Sequence, residues 1–285
     1  MYLDIQWYPG HMAKAKRLLG DKLKLINVAV IVVDARAPLS TFNPDLQNML
    51  SGKQCIVVLN KADLADDAAT YVWAEYYSKS HIAVTFSAIS SKKGILLSAI
   101  NKAAAPIVKK YADKGMRKTV RVLVCGIPNT GKSAIINRLI GRSGAKAGDR
   151  PGVTKGLQWL RLSDTLELLD SPGLLWPKIE SEESAVNIAL TGCLRQEITD
   201  TTALALKLIT KLGAAAPGAV AARYGIPELQ EDGDKKSEPI GVLKRLCIKR
   251  GFLLKEGEID IERGAKALLD EFKGGKLGKI TLERP

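Results

Sequence analysis

Gly126–Ser133 reads GIPNTGKS, directly after the apolar run TVRVLVC (Thr119–Cys125) and before apolar residues at helical spacing over 132–141. This is GxxxxGK[ST] in the strand–loop–helix context that a phosphate-cradling loop requires. Glycines let the backbone curl until its N–H groups point at phosphate oxygens, helped by the N-terminus of the following helix. Asn129, Thr130, Gly131 and Ala134 are expected to line that cradle. Lys132 is expected to reach the β- and γ-phosphates, a catalytic role, and the Ser133 hydroxyl to ligate Mg²⁺.

Outward from this loop, β-branched runs alternate with amphipathic stretches. Strands are predicted at Val28–Asp34, Gln54–Leu59, Ile82–Phe86, Thr119–Cys125, Leu157–Leu162 and Leu166–Asp170, and helices at about 11–25, 66–80, 94–112 and 132–141. That alternation predicts an α/β fold, a mostly parallel sheet with helices on both faces. After Pro177 the segments 182–211, 240–251 and 261–273 carry helical spacing with no strand between them. The expected organisation is therefore an α/β domain over 1–178 and a small all-α domain over 179–285.

Other motifs complete the phosphate site. DSPG (Asp170–Gly173) closes the strand LELLD, where a carboxylate can hold Mg²⁺ through its water shell and the Gly173 N–H can touch the γ-phosphate. PGVT (Pro151–Thr154) offers a threonine hydroxyl that could complete the metal shell only with triphosphate present, which would make the segment a switch. NKAD (Asn60–Asp63) follows the strand CIVVL. An aspartate there accepts hydrogen bonds from guanine N1–H and N2–H₂; adenine offers no such donor pair, so a buried Asp63 would go unpaired with ATP. Asn60 can tie the base edge to the phosphate loop, the Lys61 stem packs on the ring, and a backbone N–H at Ser87–Ala88 can meet guanine O6. The order is inverted: base motifs precede phosphate motifs, as a circular permutation would leave them. The switch after Asp170 would then feed directly into the helical domain.

The order NKAD, SA, GIPNTGKS, PGVT, DSPG, with the opening QWYPGHMAKA (Gln6–Ala15) and DARAPLSTFNP (Asp34–Pro44), resembles the circularly permuted GTPases, in particular the bacterial ribosome biogenesis GTPase A group. The resemblance implies a permuted P-loop GTPase domain followed by a helical RNA-binding domain. It further implies a factor that binds immature large ribosomal subunits and rRNA, meets ribosomal proteins, and couples GTP hydrolysis to a late maturation step. GTP or GDP with Mg²⁺ would be its ligands. The competing reading is an RNA-binding structural factor for which GTP is only a ligand; a GTPase acting on membranes or tRNA fits the domain order less well.

Position 174, where many GTPases place a water-orienting glutamine, is Leu174. Hydrolysis is therefore expected to be slow alone and stimulated by the ribosome. In the resembling family the histidine of the WYPGHM motif is proposed to assist catalysis, and His11 matches it; the other reading is a helix-start residue or an RNA contact. Related GTPases without the glutamine use an asparagine in the phosphate loop to coordinate K⁺, which Asn129 matches unless it only braces the loop.

The chain of 285 residues carries 43 Lys+Arg against 30 Asp+Glu, a net charge of +13 that points to a polyanionic partner, nucleic acid or an anionic membrane. Lys244, Arg245, Lys249 and Arg250 fall on one helical face and are the candidate RNA contacts, against a merely solvated face. Aromatics are only 5%, which favours backbone and shape recognition of folded RNA over base stacking. The four cysteines are dispersed without a CxxC pair, and neither a secretory leader nor a membrane span is read. A cytoplasmic monomer is expected.

Overall fold

The computed structural model describes residues 17, 19–141, 158–171, 179, 181–194, 200–227, 231–232, 235–236 and 238–285. Its centre is a six-stranded sheet of β1 (Val28–Asp34), β2 (Gln54–Asn60), β3 (Ile82–Thr85), β4 (Val120–Cys125), β5 (Gln158–Arg161) and β6 (Leu166–Asp170). The order is β3-β2-β1-β4-β6-β5, parallel throughout except for the edge strand β5, which runs antiparallel to β6.

The unbroken run VAVIVVD in β1 is what a strand buried on both faces needs. Val28, Val30 and Val32 join a core with Leu96 and Ile100 of α3 (Lys93–Ala112) and Ile135 and Leu139 of α4 (Lys132–Ile140). Ala29, Ile31 and Val33 join the opposite core, with Leu46 of α1 (Pro44–Met49) and Trp73 and Tyr77 of α2 (Asp67–Ser78). Register sets Asp34 opposite Asn60 and Ile31 opposite Cys125. The carboxyl ends of β1, β2 and β4 therefore open on one side. There the chain leaves β1 toward β2 and leaves β4 toward β5 and β6 on the other side, a reversal of direction at which α/β sheets bind their ligands.

The rest is helical apart from a two-residue antiparallel ladder, β7 (Glu231–Asp232) with β8 (Lys235–Lys236), in a stretch where no strand was expected. The expected continuous segment 182–211 is instead α5 (Glu182–Leu190) and α6 (Thr201–Ala215), because Gly192 takes φ +79° just past the end of α5. Ser181 and Asp200 cap these helices by accepting from Ser184 N and Ala203 N. A short α7 (Ala219–Tyr224), α8 (Pro239–Arg250) and α9 (Ile261–Lys273), the last capped by Asp260, complete the bundle. Its core takes in Ile127 of the phosphate loop. The last residues return to the sheet. Ile280 N donates to Leu64 O at 3.0 Å and Leu282 N to Arg36 O at 2.7 Å, while the Glu283 carboxylate accepts from Ser40 N and Oγ at 2.9 and 2.6 Å.

Glu271 of α9 ties the bundle together. It accepts from Arg223 Nε at 2.7 Å, Arg250 Nη2 at 2.7 Å and the Tyr224 hydroxyl at 2.9 Å. Hydrogen bonding from Arg223 leads the effects that hold its carboxyl down to about 2, against an ordinary 4.5. A value depressed by folding means the contribution is complete above pH 4.5 and lost as pH falls through about 2. Glu271→Gln is expected to cost about 1 kcal/mol at neutral pH, kept small because the arginines face solvent. Thermal melts of both proteins should converge as pH approaches about 2.

Candidate functional site

The phosphate loop leaves β4 at Gly126, whose φ is +147° and where a Cβ would strike the Val32 carbonyl of β1. Gly131, φ +97°, is equally constrained, since a Cβ would run into the Asn60 side-chain amide. Both positions require glycine by conformation and by space. Gly131 also caps α4 without a side-chain acceptor, so the first-turn N–H groups face the loop, as an anion cradle needs.

Asn60 joins the base and phosphate loops. Its Nδ2 donates to Thr130 O at 2.7 Å, and its Oδ1 accepts from Ala88 N at 3.1 Å. NKAD, the Ser87–Ala88 loop and GIPNTGKS, separated along the chain, thus meet around one buried amide. Ser87 is buried; its Oγ accepts from Ile89 N and Ser90 N at 3.3 and 3.2 Å. The Ala88 N–H, expected at guanine O6, is turned to Asn60 here. Asp63 lies in the 3₁₀ turn Ala62–Leu64 and is half-buried rather than buried, close enough to Arg36 to be felt by that guanidinium. Its carboxylate therefore keeps partial access to water, and the penalty for a wrong base is smaller than full burial would impose.

Lys132 is only 6% exposed and donates to Ile127 O at 2.8 Å. Burial draws its ammonium down to about 8. Asp170 ends β6 with Oδ1 buried and without a hydrogen-bond partner among the described residues, and burial pushes its carboxyl up to about 6. Asp170 lies close enough to Lys132 for each to feel the other's charge, and its orphaned buried oxygen, with the hydroxyl of the next residue Ser133 in the first turn of α4, is a hard-oxygen set that fits a hydrated Mg²⁺. Asn129, at φ +59°, commits Nδ2 to Gly192 O at 2.8 Å, so a K⁺ ion would have to meet Oδ1.

His11, Thr154, Gly173, Leu174 and the PGVT segment lie outside the described residues. Among the candidate RNA contacts, Lys244 and Lys249 are exposed on α8. The other two also have partners within the chain: Arg245 Nη2 donates to Pro227 O at 3.3 Å, and Arg250, exposed as well, pairs with Glu271 and lies 5.3 Å over the Tyr224 ring. Sequence reasoning overlooked Asp34 and Arg36 as parts of this region. Asp34 is wholly buried at the end of β1 and pairs with Lys61 Nζ at 2.8 Å and Arg36 Nη2 at 2.8 Å. A charged DAR triplet directly after an apolar strand was the available signal.

No described helix is long and apolar enough to cross a membrane, and all four cysteines are free. Residues 121–219 match a family described as 50S ribosome-binding GTPase. The chain is 41% identical to Ribosome biogenesis GTPase A of Bacillus cereus, aligned over 99% of this chain and 94% of that one. The Thermotoga maritima protein of the same name is 34% identical over 99% and 95%. The crystal structure of GNP-bound YlqF from T. maritima aligns with TM-score 0.68 and 32% identity, covering 95% of this chain and 98% of that one.

Proposed function

The chain belongs to the ribosome biogenesis GTPase A family and is therefore a GTPase, and from that premise we propose that it acts as an assembly factor on the large ribosomal subunit. It binds the immature particle through rRNA and neighbouring ribosomal proteins, hydrolyses GTP there and leaves. Residues 1–178 serve as the nucleotide-binding unit and 179–285 as the helical reader, in a cytoplasmic monomer.

The observation that carries the nucleotide reading is Asn60, whose two hydrogen bonds gather the NKAD, SA and GIPNTGKS loops. In this reading Asp63 selects guanine, Lys61 packs on the ring, and Ser87 fixes the loop whose Ala88 N–H would exchange Asn60 Oδ1 for guanine O6 when the base binds. The phosphates are received by Asn129, Thr130, Gly131, Ala134 and Gly173, with Lys132 on the β- and γ-oxygens. Ser133 and Thr154 would hold Mg²⁺, with Asp170 reaching it through water, and the bound ion would neutralise charge on those oxygens. His11 positions the attacking water, and Asn129 helps hold K⁺. Lys244, Arg245, Lys249 and Arg250, on the helix that also exposes Ile248, are the RNA-facing part of α8.

Multiple-turnover GTP hydrolysis with and without purified precursors of the large subunit tests this, run in KCl and in NaCl at matched ionic strength. Stimulation by the particle, greater in KCl, is expected, with co-sedimentation when a non-hydrolysable GTP analogue is bound. Turnover indifferent to the particle would reject the assembly role, and equal rates in the two salts would reject the K⁺ site.

A further inference from the structure

We propose that Arg36 is a positioning residue that joins the guanine-side Lys61, through Asp34, to the helical region, so that filling the base pocket is felt at the turn Thr191–Cys193. The inference rests on the base site proposed above. Asp34 holds two cations at once. Lys61 Nζ lies 2.8 Å from its Oδ2, while Arg36 grips both oxygens, Nε to Oδ1 at 2.9 Å and Nη2 to Oδ2 at 2.8 Å. The other edge of the guanidinium faces the helices. Nη2 donates to Thr191 O at 3.3 Å and Nη1 to Lys273 O at 3.2 Å, with the carbon 5.5 Å from the Phe272 ring centre.

Thr191 caps the end of α5, and Lys273 is the last residue of α9. One buried cation therefore sits at the carbonyl ends of two helices, where positive charge is favoured. A guanidinium is a rigid planar fork, so it can serve Asp34 and both carbonyls in one orientation only. Movement at Lys61 and Asp34 must then be paid at Thr191 O or Lys273 O. The same turn is held from the phosphate side, because Asn129 Nδ2 donates to Gly192 O at 2.8 Å. Base and phosphate loops thus reach adjacent carbonyls of a single turn, and coupling between sites of this kind is reciprocal.

Amide hydrogen exchange on the unmodified protein tests the coupling without any substitution. Adding GDP should slow exchange over 191–193 and 274–276, and adding ADP should not. GDP binding without that protection overturns the coupling alone; no GDP binding overturns the base-site reading with it. A double-mutant cycle separates positioning from general support. Arg36→Lys is expected to weaken GDP about tenfold in the natural background, but less than about twofold once Lys61→Met has removed the group it acts through. Additive losses would overturn the assignment. Should Arg36→Lys fail to fold, Asp34→Asn takes its place in the cycle, with melts recorded for each protein.

Discussion

Lys132→Met is expected to lower kcat for GTP hydrolysis by about 10²–10³-fold, the usual cost of losing one charged donor at a developing anion. Without phosphates the same substitution should stabilise the fold. Lys132 is buried, and its ammonium is drawn from 10.5 down to about 8. A shift of that size corresponds to a net cost of roughly 3 kcal/mol for the charged form, left after the attraction of Asp170 has offset part of the burial; methionine does not carry it, and Asp170, with its carboxyl already pushed up by burial, can take up a proton when that attraction is lost. Its hydrogen-bond acceptor among the described residues, Ile127 O, also accepts from Thr130 Oγ1 at 3.0 Å and is not orphaned by the change. Turnover and nucleotide-free melting temperature should therefore move in opposite directions. A variant that loses both would mean that Lys132 holds the loop together; one that keeps normal turnover would remove it from the chemistry.

The second large effect is on base selection. Asp63→Ala is expected to weaken GDP and GTP by about 10³-fold, because two charge-assisted hydrogen bonds to the guanine edge are each worth about 1.5–3 kcal/mol. ATP, which never made them, should bind as weakly as before, so the preference for guanine collapses by the same factor. Titration with fluorescent guanine and adenine nucleotides measures both. Asp63 stands half-buried in a short 3₁₀ turn, away from the sheet core, so the variant should fold with an unchanged melt. Unaltered discrimination would move base recognition elsewhere.

The two variants also show which parts of the site could be read in advance. GIPNTGKS and NKAD are loops whose residue types answer to local requirements. Gly126 and Gly131 need positive φ and bare space, and Lys132 and Asp63 need a charge at a fixed step from a strand end. Strands such as VAVIVVD announce themselves because both faces are buried. The break of 182–211 into two helices is also written locally, as Thr191–Gly192, but the apolar spacing that runs through it masks the signal. The short helices Pro44–Met49 and Ala219–Tyr224 hold too few turns to show a period.

The charge pairs had no such signature. Arg250 belongs to a basic helical face by sequence, yet Glu271, 21 positions away, engages it. Arg36 finds Thr191 and Lys273, 155 and 237 positions along the chain, and Trp73 finds Glu283 across 210. Nothing periodic links residues so far apart.

By itself, then, the sequence determined the class of sheet, the nucleotide loops and their inverted order, because apolar patterning and loop conformation are written in neighbouring residues. Only the tertiary structure decided which charges face solvent and which are spent inside. That outcome depends on which distant carboxylate or carbonyl a folded chain brings within about 3 Å of each cation, where desolvation makes partnering obligatory.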